Sequence, residues 1–246
     1  MQVKVIGYWG GFPKAGEATS GYLLESNGFR LLVDCGSAVL SKLQEVISIE
    51  QLDAVVLSHY HHDHVADVGP LQYASLVTSI LNGENKTIPI YGHKEDQESF
   101  DKLTYKQATK GIAYDPNESI TIGPFTISFL PTIHPVPCYA MKITDGESTI
   151  VYTADTSYKE ELISFSEQAD LLLAECSFYE YQDGTNAGHM NSSEVGKIAG
   201  SSQVKELLLT HLPHFGNHQD LITEVQKHYK GHVSLASSKF EWTKNM

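Results

Sequence analysis

The chain has 246 residues, 41% of them hydrophobic, and a formal net charge of -13. That length buries a substantial core, expected as one domain over 1–246, and no run approaches the apolar length of a membrane-crossing helix. Of the seventeen basic residues only Arg30 is an arginine, which argues against a basic track for folded nucleic acid and against bidentate phosphate forks. Three cysteines, odd in number and without metal-like spacing, argue against a disulfide framework and point to a reducing, cytoplasmic compartment.

Residues 1–6 read as a strand rather than a charged leader. Runs 21–25 and 29–33 flank Asn27-Gly28, the dipeptide of a tight hairpin. A helix is expected over 37–47 and a buried strand over 53–57. That strand runs into Ser58-His59-Tyr60-His61-His62-Asp63-His64. On neither a strand nor a helix do His59, His61, Asp63 and His64 all face one way, so a loop is expected, held by a rigid strand end and able to wrap metal. His62 is the dispensable member, expected to face solvent or a neighbour. The next helix is expected over 70–81, with Pro70 at its first position and Gly83 beyond its end, and another over 95–103. Segment 84–114 is read as room for a short substrate loop.

Three later strands end in the same way. Run 125–130 is followed by His134, run 149–153 by Asp155, and run 206–210 at once by His211. Ends of neighbouring strands on one side of a sheet lie close together, so these residues are expected to converge. Asp155 also fits the N-cap of a helix over 158–168, and further helices are expected over 192–199, opened by Asn191 and Glu194, and over 219–229. Histidines and carboxylates without cysteine suit zinc best, manganese or iron less well. The donors are too many for one tetrahedral ion. Two divalent ions are expected, about 3.5 to 4 Å apart and sharing a carboxylate and a water that acts as hydroxide. Cys35, Cys138 and Cys176 read as small buried residues.

The set His59-x-His61-x-Asp63-His64 with His134, Asp155 and His211 resembles the metallo-β-lactamase superfamily. Gly7-Tyr8-Trp9-Gly10-Gly11-Phe12-Pro13, Leu32-Val33-Asp34-Cys35-Gly36, Glu175-Cys176 and Gly188-His189-Met190 are similar to its ribonuclease Z and phosphodiesterase branch. The resemblance implies an α/β fold of four αββα layers, two mixed β-sheets sandwiched between helices. It implies one metal on His59, His61 and His134, a second on Asp63, His64 and His211, and Asp155 bridging them. Asp63 would orient or deprotonate the water, and His189, steadied by Glu175, would protonate the leaving alkoxide. Asp34 is expected to support a ligand imidazole rather than to react.

About twenty residues separate His134 from Asp155, whereas ribonuclease Z carries there a long arm that grips tRNA. They are filled by a short run, a strand over 139–144, the Asp145-Gly146 turn and the next strand. With the acidic balance, this favours a small anionic phosphodiester, such as a cyclic nucleotide or cyclic sugar phosphate, over extended nucleic acid. The alternatives are a ribonuclease Z-like RNA endonuclease and an acyl hydrolase of lactone, thioester or β-lactam. A di-iron redox protein would show His-x-Glu where His59-x-His61 stands. Relatives on this branch are often dimers, so a homodimer is expected.

Overall fold

This computed structural model describes residues 1–83 and 86–244. In chain order its strands are β1 (Gln2–Gly7), β2 (Gly21–Ser26), β3 (Phe29–Val33), β4 (Ala54–Val56), β5 (Ile88–Gly92), β6 (Thr109–Ala113), β7 (Ile120–Ile122), β8 (Phe125–Pro131), β9 (Tyr139–Thr144), β10 (Thr149–Tyr152), β11 (Leu171–Glu175), β12 (Glu206–Thr210), β13 (His232–Leu235) and β14 (Glu241–Thr243). The α-helices are α1 (Val39–Leu43), α2 (His62–Val65), α3 (Val68–Asn82), α4 (Gln97–Asp101), α5 (Glu161–Phe165), α6 (Ser192–Ser202) and α7 (His218–Val225). Among the described residues the strands form two seven-stranded mixed sheets, ordered β14-β1-β2-β3-β4-β5-β6 and β13-β12-β11-β10-β9-β8-β7. The chain packs as two compact units, one built from Met1–Asp115, Ile122–Pro124 and Ser237–Thr243, the other from Pro116–Thr121, Phe125–Ala236 and Lys244.

In the first unit β14, β1, β2 and β3 pair antiparallel, and β3, β4, β5 and β6 pair parallel. The β2–β3 hairpin turns on Asn27 and Gly28 with φ of 50° and 77°, the positive values that its two-residue turn demands. All three residues of β4 are buried, which is why its sequence is continuously apolar rather than alternating. Leu32, Val55, Leu57, Leu71 and Ile90 belong to one apolar cluster that joins this sheet to α3. Helix α3 begins at Val68, so Pro70 is its third residue, and it ends at Gly83 in the left-handed conformation. Helix α1 is far shorter than 37–47, because the chain closes into turns that return the Val46 and Ile47 N–H groups to the Leu43 carbonyl. Helix α4 is likewise shorter than 95–103, opened by Asp96, whose side chain accepts the Ser99 N–H. Segment 84–114 holds β5, α4 and β6 rather than a free loop, with residues 84–85 of that expectation outside the described residues.

In the second unit β8, β9 and β10 pair antiparallel and β10, β11, β12 and β13 pair parallel. Strand β11 is buried at every position and β12 at four of five, matching their unbroken Leu-rich runs. The hairpin joining β9 to β10 uses the expected turn, with Gly146 at φ 88°, and accounts for the chain between His134 and Asp155. Asp155 caps no helix: α5 starts at Glu161 after Glu160, and the chain leaves it through Gln168 at φ 53°. Helix α6 opens on a capping box of Asn191 and Glu194, and α7 on Asn217, stopping at Val225 short of 229.

Asp170, at the entry to β11, is 7% exposed and receives Lys205 Nζ at 2.7 Å, Lys244 Nζ at 3.2 Å and the Thr149 N–H at 2.8 Å. Burial pushes its carboxyl up, but the lysines and the amide outweigh burial and hold it below the usual carboxylate range. A depressed folded value stabilises the fold above the unfolded value of about 3.9, and that contribution is lost as pH falls through the folded value. Asp170→Asn is therefore expected to flatten the acid limb of a melting-temperature profile between about pH 5 and pH 2. An unchanged limb would show that the cluster does not govern acid stability.

Candidate functional site

In the first unit the parallel strands β3, β4 and β5 deliver Asp34, His59 and His93 to their carboxyl ends, where ligands gather in open α/β sheets. Asp34 follows β3 with φ 58°, a sharp left-handed exit that turns its carboxylate back toward β4. Fully buried, it accepts the Ser58 N–H at Oδ1 (2.8 Å), the Ser58 hydroxyl at Oδ2 (2.8 Å) and His64 Nδ1 at Oδ2 (2.7 Å). Ser58 Oγ in turn lies 3.0 Å from His59 Nδ1.

The expected loop over 59–64 is partly helical. His61 is extended at the N-cap, and its carbonyl accepts the His64 N–H at 2.9 Å, so Asp63 and His64 lie in the single turn α2. This change of conformation lets side chains at alternating and adjacent positions aim at one place. The rings of His59 and His61 stand 4.9 Å apart, those of His59 and His64 4.1 Å, and His64 Nε2 is 3.7 Å from Asp63 Oδ2. The Gly11 N–H holds that same Asp63 oxygen at 2.8 Å. His62 is exposed as expected, and lines an open cavity with Tyr60, Val65 and Gln72.

Gly36 carries no side chain for a steric reason. A Cβ there would stand 1.9 Å from the Asp63 carbonyl oxygen and 2.2 Å from Thr19 Oγ1. Gly36→Ala is expected to displace the α2 turn, lowering both melting temperature and metal content by mass spectrometry under native conditions. A variant with wild-type values for both would show that the turn accommodates the methyl group.

In the second unit β10, β11 and β12 run parallel and end at Asp155, Glu175 and His211; β8, which runs the same way, leads to His134. Ala154 and His211 leave their strands with φ 49° and 50°, repeating the sharp exit of Asp34. Asp155, 2% exposed, presents Oδ2 at 3.3 Å from His211 Nε2 and 4.0 Å from His134 Nε2. His134 Nδ1 donates to the Gly188 carbonyl at 3.0 Å. Gly188 has φ 77°, and a Cβ on it would come within 2.7 Å of that nitrogen.

Glu175 is completely buried and fully used. Its Oε1 accepts His189 Nδ1 (3.1 Å), Met190 N–H (3.0 Å) and Thr156 N–H (3.2 Å), and its Oε2 accepts the Ser177 N–H (3.2 Å) and hydroxyl (2.9 Å). Ser177 Oγ also lies 2.8 Å from His211 Nδ1 and 3.1 Å from the His211 carbonyl oxygen. The ring of His189 is 5.0 Å from that of His211 and 5.4 Å from that of His134. Ligand-type atoms of Glu175, His189 and His211 fall within 4.8 Å of one another.

Each unit thus gathers the residues expected of it: His59, His61, Asp63 and His64 in the first, His134, Asp155, His211, Glu175 and His189 in the second. The donor chemistry fits divalent metal. His59, His64, His134 and His211 each commit Nδ1 to an oxygen, which is how ligating imidazoles are oriented, and present Nε2 as the donor. Burial, with Asp67 and Asp34 near Cys35 and Glu175 near Cys176, pushes both thiols well up, and the donor groups gathered among the described residues are His, Asp and Glu. Ser58, Ser177, Gly11 and Gly188 were not singled out from sequence for any role. The signal was available for the serines, which flank His59 and follow Glu175 by two residues, but a hydroxyl has no spacing signature of its own.

The profile of the metallo-β-lactamase superfamily matches residues 16–227. The chain belongs to this superfamily. It is 62% identical over 242 residues, 98% of this chain and 99% of the relative, to the probable metallo-hydrolase YhfI of Bacillus subtilis (strain 168). The crystal structure of that metallo-β-lactamase fold protein matches with a TM-score of 0.97 at 61% identity, covering 98% of each chain. A diphosphatase of the PhnP family shares the fold, with a TM-score of 0.78 at 17% identity over 100% of this chain and 98% of that one. Ribonuclease Z of Methanopyrus kandleri is 22% identical over 247 residues, 86% of this chain and 87% of that protein. The chain is a metallo-hydrolase of the metallo-β-lactamase fold, with two mixed sheets, flanking helices and His and Asp groups suited to a divalent metal.

Proposed function

We propose that this hydrolase is a dinuclear phosphodiesterase acting on small phosphodiesters, a cyclic nucleotide or a cyclic sugar phosphate, with zinc as its metal. In this reading His59, His61 and His134 would hold one ion, Asp63, His64 and His211 the other, and Asp155 would serve both. The ions, when bound, supply an activated water and polarise the phosphoryl oxygens. The remaining work falls to side chains. Asp63, steadied by the Gly11 N–H, would orient the attacking water and take its proton. His189 gives a proton from Nε2 to the departing alkoxide, because its Nδ1 is committed to Glu175.

The observation that carries this reading is His189: an imidazole with 18% of its side chain exposed, locked by a buried carboxylate and lying beside His134 and His211. An alkoxide is a poor leaving group without a proton, so a phosphodiesterase has use for such a residue and an acyl hydrolase has less. The charge of -13 and the short β9–β10 hairpin favour a small substrate over extended RNA. The superfamily profile runs through both compact units, which supports one catalytic domain over 1–246. Three buried thiols outside any disulfide suit a reducing cytoplasm, and no described helix is long and apolar enough to cross a membrane. Exposed Tyr73, Val77, Ile80 and Leu81 on α3 suit a homodimer.

The test is a metal assay coupled to hydrolysis of bis(p-nitrophenyl) phosphate, a lactone and a chromogenic β-lactam. Two metals per chain with phosphodiester turnover are expected, followed by activity on cyclic nucleotides or cyclic sugar phosphates. Metal uptake with acyl cleavage alone would overturn the reading and leave His189 a structural residue.

A further inference from the structure

The two units contain the same hydrogen-bond device. In the first, one carboxylate, Asp34, accepts the backbone N–H and the hydroxyl of Ser58, takes His64 Nδ1 directly, and reaches His59 Nδ1 through Ser58 Oγ. In the second, Glu175 accepts the backbone N–H and the hydroxyl of Ser177, takes His189 Nδ1 directly, and reaches His211 Nδ1 through Ser177 Oγ. We propose that Ser58 and Ser177 are positioning residues, each relaying one buried carboxylate to the imidazole of a metal ligand and fixing its Nδ1–H form.

The direction of each hydrogen bond follows from counting protons. A serine hydroxyl has one, and a buried carboxylate is the strongest acceptor within reach, at 2.8 Å from Ser58 and 2.9 Å from Ser177. With that proton committed, Oγ faces the imidazole as an acceptor, so Nδ1 carries hydrogen and Nε2 carries the lone pair. The His211 carbonyl, 3.1 Å from Ser177 Oγ, competes for the same proton without changing this outcome, since Oγ still accepts from Nδ1. Only donation from serine to Nδ1 would reverse the tautomer, and it would take the hydroxyl proton away from the carboxylate.

The two relays differ in what they couple. Asp34 serves two residues of the metal set, His64 and His59. Glu175 serves His211 and also His189, so one carboxylate joins a metal ligand to the group that protonates the leaving oxygen. This inference rests on the functional reading above for the metal, and on hydrogen-bond geometry alone for the tautomer.

Two measurements on the full-length protein separate these parts. Nitrogen-15 NMR of the metal-free protein is expected to show slowly exchanging Nδ1–H protons on His59 and His211, each lost selectively in Ser58→Ala or Ser177→Ala. An unprotonated Nδ1 in the wild type would overturn the relay whatever the protein does with metal. In competition with a chromogenic chelator, each alanine variant is expected to bind Zn2+ about 10- to 100-fold more weakly, with affinity restored by Ser58→Thr and Ser177→Thr. Far-UV circular dichroism confirms that the variants fold, and the threonine variants carry the comparison if an alanine variant does not. Glu175→Gln is expected to add no further loss of affinity in the Ser177→Ala background, yet still to slow alkyl phosphodiester cleavage. Wild-type affinity in both alanine variants would overturn the relay. Absence of metal uptake by the wild type would instead overturn the functional reading.

Discussion

Asp155→Ala is expected to strip the protein of metal and abolish turnover, a loss well beyond the roughly 10- to 100-fold typical of residues that only orient ligands. Asp155 is 2% exposed, and its Oδ2 faces Nε2 of both His211 and His134, at 3.3 and 4.0 Å. Because removing a buried side chain leaves a hole, Asp155→Asn belongs beside the alanine variant: it keeps the volume and removes the charge. Elemental analysis, far-UV circular dichroism and turnover of bis(p-nitrophenyl) phosphate together decide the case. Folded variants that retain two tightly held metals and full rate would remove Asp155 from the metal set.

His189→Ala is expected to behave in the opposite way, keeping the metals and losing rate. General acids contribute about 10²- to 10⁴-fold, and that loss is expected in full on an alkyl phosphodiester, whose alkoxide must be protonated as it leaves. A nitrophenyl ester departs as a stable anion, so the same variant is expected to lose far less on it. Glu175→Gln should show the same preference for the alkyl substrate in its rate loss, since Glu175 Oε1 receives His189 Nδ1 at 3.1 Å, together with the weaker metal binding expected from its relay through Ser177 to His211. Equal losses on both substrates would show that His189 shapes the site without transferring a proton.

These expectations come from residues that differ in how visible they are in one dimension. His59, His61, Asp63 and His64 sit within six positions, and their spacing alone announces metal chemistry. His134, Asp155 and His211 carry no such signature singly. Each was found because it follows an apolar strand, and strands whose carboxyl ends share one sheet edge must bring their next residues together. The hairpin at Asn27-Gly28 and the Leu-rich β11 and β12 were equally plain, since turn chemistry and double-sided burial act on composition directly. Helix lengths were not. The helices expected over 37–47 and 158–168 are longer than α1 and α5, because a local sequence pattern does not reveal where the chain will exchange helical hydrogen bonds for turns or for the left-handed exit at Gln168.

The sequence by itself determined the family, the donor types and the strands that carry them, because these depend on residue identity and on spacing along the chain. Only the tertiary structure decided how each imidazole is oriented. That Ser58 and Ser177 stand between a carboxylate and a histidine depends on side chains brought together from separate strands, Asp34 and Ser58 being 24 positions apart and Ser177 and His211 34. The need for glycine at Gly36 and Gly188 was decided in the same way, by an Asp63 carbonyl and a His134 ring that arrive from elsewhere in their units. Hydrogen-bond partners and close approaches are properties of distance in space, and distance in sequence does not encode them.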